Sequence, residues 1–328
     1  MQRNTEELIA LAKEIFPSPV LSLESVEAGT LDERVQDGAA VLQKIHDGET
    51  DLTPADEIAL EAIILVVGRP ALLVQDNDFA EPPGEWAHLV DKRDMLQDVF
   101  PAVGRVELTG HHSFEWCGTA FLAGDGILMT NKHVVQIFAE PHGSGWTFLP
   151  GVTARIDYRE EFERPEESNF AIDRVLAVHP FYDLALLSVT MDGAPRPLTL
   201  MAEQPSPVRD REVATIGYPA LDSHDGRTEQ IEVFQNIFDV KRLLPGKTTG
   251  LRGNPAVLGH DCSTLGGNSG SAVVDLEKGH VIALHFGGQF LIGNFSVPLW
   301  TLKDDVTLRH FDLNWAKPKL GKPHAVHH

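Results

Sequence analysis

From residue 103 onward, short segments that alternate apolar and polar positions recur between turns rich in Gly, Pro, Asp and Asn. The clearest runs are 106–109, 119–122, 127–130, 184–189, 213–216, 231–240, 272–274 and 281–285. Alternation of this kind puts every second side chain on one face, so each run predicts a half-buried β-strand, and many such runs predict an all-β barrel or sandwich. Before residue 100 the texture is different. Apolar residues fall at helical spacing over 6–15 and 32–45, and a third helix is predicted from Thr53, as N-cap, with Pro54 at the first helical position, to about Val67, where Gly68 ends it. Residues 69–74 then read as extended chain and 81–86 as a loop carrying Trp86, which is expected to pack on a neighbouring surface.

Length and composition narrow the function classes. A chain of 328 residues, 42% of them hydrophobic, can bury one large or two moderate cores. Its net charge of -21, from 27 basic and 48 acidic residues and with no basic stripe, argues against a nucleic-acid partner. The apolar run at 63–67 is far shorter than the roughly 20 residues a membrane helix needs, so no membrane partner is expected. The first residues lack the basic start and apolar stretch of a secretory signal, and two cysteines cannot form the disulfide framework of a secreted protein. A soluble, cytoplasmic protein is expected, with Cys117 and Cys262 read as buried thiols, although a bridge between them stays open at this point.

The chemistry sits in three segments. Gly266-Gly267-Asn268-Ser269-Gly270-Ser271 surrounds one serine with residues that allow a sharp turn; Thr130-Asn131-Lys132-His133-Val134-Val135 closes an apolar run; Tyr182-Asp183-Leu184-Ala185 opens another. A serine hydroxyl becomes a useful nucleophile when an imidazole takes its proton, and the imidazole works best when a carboxylate fixes its tautomer. His133, Asp183 and Ser269 supply these parts in that order. Asp173 is the rival to Asp183, and Ser263 and Ser271 are the rivals to Ser269; the immediate setting favours the first of each.

With Gly118-Thr119-Ala120-Phe121, Gly217-Tyr218-Pro219 and Leu284-His285-Phe286-Gly287-Gly288 added, the ordered motifs resemble the chymotrypsin-like serine peptidases, and within them the bacterial glutamyl endopeptidase branch. The resemblance implies a mainly β fold of two antiparallel six-stranded barrels, at about 103–200 and 208–305, with the catalytic cleft between them. It implies a protease domain at 99–312; the helical spacing before it marks an accessory or regulatory module at 1–98, and a tail follows at 313–328. The resemblance implies His133, Asp183 and Ser269 as the triad, and the Gly267 and Ser269 amides as the oxyanion hole. In animal members a cysteine near the Cys117 position bridges to one directly after the catalytic histidine, a place held here by Val134.

Specificity follows by the same route. Trypsin-like members that cut after Arg or Lys carry an acidic residue six positions before the nucleophile, where this chain has Ser263. In the glutamyl branch a threonine and a histidine hold the substrate carboxylate, and Thr264 and His285 occupy the matching positions. An imidazolium and a hydroxyl can both donate to a carboxylate. His285, Phe286, Gly287 and Gly288 are expected to form the edge against which substrate backbone pairs. No cofactor or metal is expected, and His324, His327 and His328 read as tail residues. The expected partners are a protein or peptide substrate and a regulatory partner acting through the first module. The alternatives are a latent or inactive protease scaffold used for binding, and an esterase with the same triad.

Overall fold

The computed structural model describes residues 69–82, 84–190, 195–221, 227–289 and 293–317. The helical patterns within residues 1–68 and the tail histidines lie outside the described residues.

The elements, in chain order, are β1 (Leu72–Gln75), β2 (Asp78–Phe79), α1 (Arg93–Val99), β3 (Val103–Thr109), β4 (Trp116–Gly124), β5 (Ile127–Thr130) and α2 (Lys132–Phe138). There follow β6 (Ala139–His142), β7 (Gly145–Phe148), β8 (Thr153–Asp157), β9 (Asn169–Val178), β10 (Ala185–Val189) and β11 (Arg209–Gly217). The chain continues through α3 (Arg227–Phe234), β12 (Arg242–Arg252), β13 (Val257–His260), β14 (Ala272–Asp275), β15 (Val281–Gln289) and β16 (Gly293–Pro298). Two closed six-stranded antiparallel barrels result. The first has the order β10-β5-β4-β3-β8-β9, and the second β11-β14-β15-β16-β13-β12, closed by pairing of β11 with β12. Closure removes the sheet edges that would otherwise be open to pairing. The fold is the chymotrypsin-like one, with the strands of the first barrel between Val103 and Val189 and those of the second between Arg209 and Pro298.

One predicted strand is wrong. Residues 231–240 do not form a strand: α3 covers the first part, and Gln235, Asn236 and Asp239 then adopt left-handed backbone. In the helix Gln230, Val233 and Phe234 share a buried face, a spacing that the strand period does not give. The exposed helix end is closed by Arg242, whose Nη2 donates to the carbonyls of Phe234 and Ile237, both at 2.7 Å.

The extended reading of 69–74 is realised in β1, which pairs antiparallel with β12 through Leu72↔Leu243 and Leu73↔Arg242. Trp86, Leu89, Leu96 and Phe100 are fully buried in the same core as the first barrel. Arg242 ties this segment down as well, its Nη1 donating to Ala71 O at 2.7 Å. It is 1% exposed and its bonds are to carbonyls; burial lowers its pKa to about 10. Arg242→Ala takes the guanidinium from Ala71 O and Ile237 O, while Phe234 O keeps the Ile237 amide at 3.0 Å, and is expected to cost about 2–3 kcal/mol, read from the urea midpoint. An unchanged midpoint would show that water replaces the guanidinium at no cost.

The barrels meet along β4. Thr119, fully buried, receives the Tyr218 amide on Oγ1 at 3.3 Å and donates from Oγ1 to Gly267 O at 2.8 Å, while its own amide donates to Ser269 O at 2.8 Å. From the other side, Lys241 at the start of β12 donates to Tyr158 O at 2.6 Å and Phe100 O at 2.9 Å, and its burial lowers its pKa to about 8. These bonds run between segments far apart in sequence, so the cleft is assembled only in the docked state.

Candidate active site

His133 lies in the first turn of α2, immediately after β5, and Asp183 lies just before β10, the strand paired with β5. Adjacent strands thus bring the two together. Asp183 Oδ2 is 2.5 Å from His133 Nδ1, and Oδ1 accepts the His133 amide at 3.0 Å. The carboxylate is thereby held by both oxygens, and the imidazole proton is drawn to Nδ1, leaving Nε2 as the base. Buried Asn131 adds a third tie, donating from Nδ2 to Asp183 O at 2.8 Å. Asp173 is elsewhere, accepting the Thr190 hydroxyl at 2.9 Å on the exposed face of β9.

Ser269 sits at the tip of the turn between β13 and β14, half-buried, with β4 on one flank and β15 on the other. Its carbonyl accepts from Thr119 N, and the next amide, of Gly270, donates to His285 O at 3.0 Å. Gly118 marks how close the barrels approach: a Cβ there would lie 2.9 Å from Val134, the neighbour of His133, and 3.0 Å from Ser269 O. The rival serines are engaged structurally, Ser263 Oγ donating to Arg69 O at 2.9 Å and Ser271 Oγ to Asn268 Oδ1 at 3.4 Å.

The oxyanion turn depends on Gly267, with φ of +83°, whose α-carbon faces the Trp116 ring and the Tyr218 carbonyl. Gly266 O accepts from Ala220 N at 2.7 Å and Asn268 O from Ser271 N at 2.9 Å, so the carbonyls of the two peptides that carry the Gly267 and Ser269 amides are both bonded within the protein. In a trans peptide the N–H points opposite to the carbonyl. Among the described residues neither the Gly267 amide nor the Ser269 amide has an acceptor.

His285 differs in electrical state from the imidazolium expected of it. His285 is buried, and its Nδ1 is 3.1 Å from His260 Nε2. Burial, then the nearby His260 and His133, hold His285 well below the ordinary histidine range, and burial lowers His260 to about 3. Both rings are therefore neutral. Thr264 is also committed, its hydroxyl donating to Asn294 Oδ1 at 2.6 Å while Asn294 Nδ2 donates to Cys262 O at 2.5 Å. His260 and Asn294 escaped the sequence reading because they lie on β13 and β16, and only the register of those strands with β15 brings them to the pocket.

Beyond its pairing with β14 at Leu284, β15 has no strand beside that edge through Phe286, Gly287 and Gly288 among the described residues. A Cβ on Gly287 would meet nothing within 4 Å, whereas one on Gly288 would meet Asn294 Oδ1 at 2.1 Å. Gly287 is therefore open to an incoming chain, and Gly288 is instead filled from β16. Cys117 and Cys262 are both free thiols, and burial raises the pKa of each, Cys262 to about 12. No helix among the described residues is long and apolar enough to cross a membrane.

Residues 118–284, half of the chain, match the trypsin-like peptidase domain family, and the chain belongs to that family; it is a serine peptidase, a hydrolase acting on peptide substrate. A probable serine protease of Lysobacter enzymogenes is 28% identical over 302 residues, spanning 78% of this chain and 76% of that protein. Among solved structures, the active form of the Rv3671c protease from M. tuberculosis is similar with a TM-score of 0.46, at 19% identity over 70% of this chain and 88% of that one. The HtrA-type protease AlgW with a tripeptide gives a TM-score of 0.42, at 20% identity over 63% of this chain and 59% of that one.

Proposed function

We propose that this chain is an endopeptidase whose triad is His133, Asp183 and Ser269, cutting after glutamate in limited proteolysis of a protein substrate. The observation that carries the triad is the two-point hold of Asp183 on His133, with the Ser269 turn locked against the same strand, β4. Ser269 Oγ attacks the scissile carbonyl as His133 Nε2 takes its proton. The oxyanion forms against the Gly267 and Ser269 amides; the imidazolium then protonates the leaving amine, and water, activated in the same way, releases the acid. The open edge of β15 supports an extended peptide as substrate over a small ester, since it offers backbone pairing that an ester cannot use.

Support for glutamate is narrower. With His260 donating from Nε2 to His285 Nδ1, neutral His285 keeps its own proton on Nε2. That is one donor for a substrate oxygen, without charge. A carboxylate entering this buried pocket favours the charged imidazole and takes up a proton on binding. Linkage then sets the sign: kcat/KM for a Glu substrate falls as pH rises, more steeply than for the matched Gln substrate, which binds without a proton. Mapping cleavage sites in a denatured proteome and comparing paired Glu and Gln peptides across pH tests both parts. Cuts after other residues would reject the pocket assignment and leave the triad standing; a Glu-to-Gln ratio independent of pH would reject the proton uptake.

Residues 1–68 and the cytoplasm enter this reading only as a place for control: a peptidase active among its own cell's proteins needs its access limited. Because β1 and the segment after it belong to the packed core, a truncation that tests such control should end before Arg69.

A further inference from the structure

The loop that presents Asp183 is anchored by few side chains, Tyr182 packing part-buried on the core with its ring 5.2 Å from that of His179. Phe181 is 82% exposed and Pro180 is exposed, and the first fully buried side chain after them is Leu184. What holds the loop is buried His179 at its start. His179 Nδ1 accepts two consecutive backbone amides, of Phe181 at 3.1 Å and Tyr182 at 2.9 Å. The His179 amide reaches over the loop to Leu184 O at 2.9 Å, and Leu184 N returns to Tyr182 O at 2.9 Å. Asp183 is thus enclosed in a hydrogen-bonded loop with an imidazole at its centre.

An imidazole nitrogen can accept two N–H groups only when it carries no proton, so the proton of this ring is on Nε2. That nitrogen is buried and lies 3.3 Å from Asp305 Oδ2, an ion-pair approach that lacks hydrogen-bond geometry, and it makes no hydrogen bond among the described residues. Asp305 comes from the segment after the second barrel, where its Oδ1 accepts the Thr307 amide at 2.7 Å. Burial opposes its ionisation, but the Thr307 amide and His179 outweigh that and hold its carboxyl below the usual range, so it is ionised.

Resting on the triad reading above, we propose that His179 is a positioning residue for Asp183, and that Asp305, from beyond the second barrel, fixes the tautomer in which His179 can do this. The chain therefore carries two Asp–His pairs in series: Asp305 orients His179, the His179 ring sets the loop, and the loop aims the carboxylate that orients His133. Neither His179 nor Asp305 touches substrate.

The test compares His179→Leu, His179→Asn and Asp305→Asn in the full chain. Asparagine places Oδ1 where Nδ1 stands and can still accept both amides, as in an Asx turn. Steady-state kinetics on a peptide substrate are read beside the low-field proton signal of His133 Nδ1–H, which reports the bond to Asp183 directly. His179→Leu is expected to lower kcat by roughly ten- to a hundredfold with KM little changed, because sub-ångström misplacement of catalytic groups acts on the chemical step. Its low-field signal should shift or vanish, while His179→Asn recovers kcat to within about threefold and retains the signal. Asp305→Asn should lower kcat more mildly, again at constant KM. The proposal is overturned if folded His179→Leu keeps both kcat and the signal, or if His179→Asn loses as much as His179→Leu. If His179→Leu does not fold, Asp305→Asn decides alone: an unchanged kcat and signal overturn the proposal. Failure of the triad reading looks different, since Asp183→Asn would then leave the rate intact, and the His133 signal still shows whether His179 governs the bond.

Discussion

Ser269→Ala is expected to lower kcat on a casein or peptide substrate by about a millionfold, to the level left by binding and oxyanion stabilisation alone. The substitution removes one hydroxyl from a half-buried turn whose backbone bonds, Thr119 N to Ser269 O and Gly270 N to His285 O, do not involve it. Stability should therefore stay within about 0.5 kcal/mol of the parent, as for a change away from core features. Asp183→Asn is expected to cost about ten-thousandfold at neutral pH, because an amide cannot enforce the imidazole tautomer that the carboxylate imposes. The pairing of a very large rate loss with unchanged folding distinguishes a nucleophile from a residue that merely braces the turn. If Ser269→Ala retains a substantial fraction of the rate, the nucleophile is elsewhere, and the engaged hydroxyls of Ser263 and Ser271 are poor substitutes because each is already committed to a structural bond.

Gly270→Ala is expected to show the opposite signature, a large loss of stability together with activity. Gly270 has φ of +90°, and a Cβ there would fall 1.9 Å from Thr119 O and 2.5 Å from Thr130 Oγ1. Both are fixed: Thr119 is the residue through which the barrels dock, and Thr130 Oγ1 donates to Thr119 O at 2.7 Å. A methyl group cannot be admitted without moving β4 away from the serine turn. Left-handed strain and displacement of a buried backbone together are expected to cost roughly 3–5 kcal/mol, measured by urea unfolding. Gly266→Ala is the control, since a Cβ there meets nothing within 4 Å and the residue is exposed. Equal effects of the two substitutions would contradict this account of why the turn needs glycine.

The parts of the site that sequence reveals are those carried by contiguous residues. The motifs around His133, Asp183 and Ser269 are short, local and bound to a chemical requirement, and Asp183 Oδ2 lies 2.5 Å from His133 Nδ1. The strands are legible as short apolar runs between turn residues, although 119–122, 213–216 and 272–274 are buried at every position, and the two-barrel arrangement follows from the family resemblance. Three further stretches escape the reading. In β12, Pro245 and Gly246 look like a turn, yet both pair with β11 and the strand runs on. At 231–240 the buried face follows helical spacing, and the left-handed residues Gln235 and Asn236 that end α3 carry no glycine to announce them. In β9 most positions are only half-buried, so no clean stripe forms. Thr264 and His285 follow from the family resemblance, whereas their partners His260 and Asn294 arrive through strand register. Composition gave no hint that His285 would be neutral, because that depends on burial beside a second histidine.

The most direct measurement is labelling with an alkyl fluorophosphonate followed by peptide mapping, in the parent and in His133→Ala. The account predicts one modified residue, Ser269, with labelling that falls by orders of magnitude without the His133 base and in step with peptidase activity. Labelling at another serine, or full peptidase activity in protein whose Ser269 is completely modified, would contradict it.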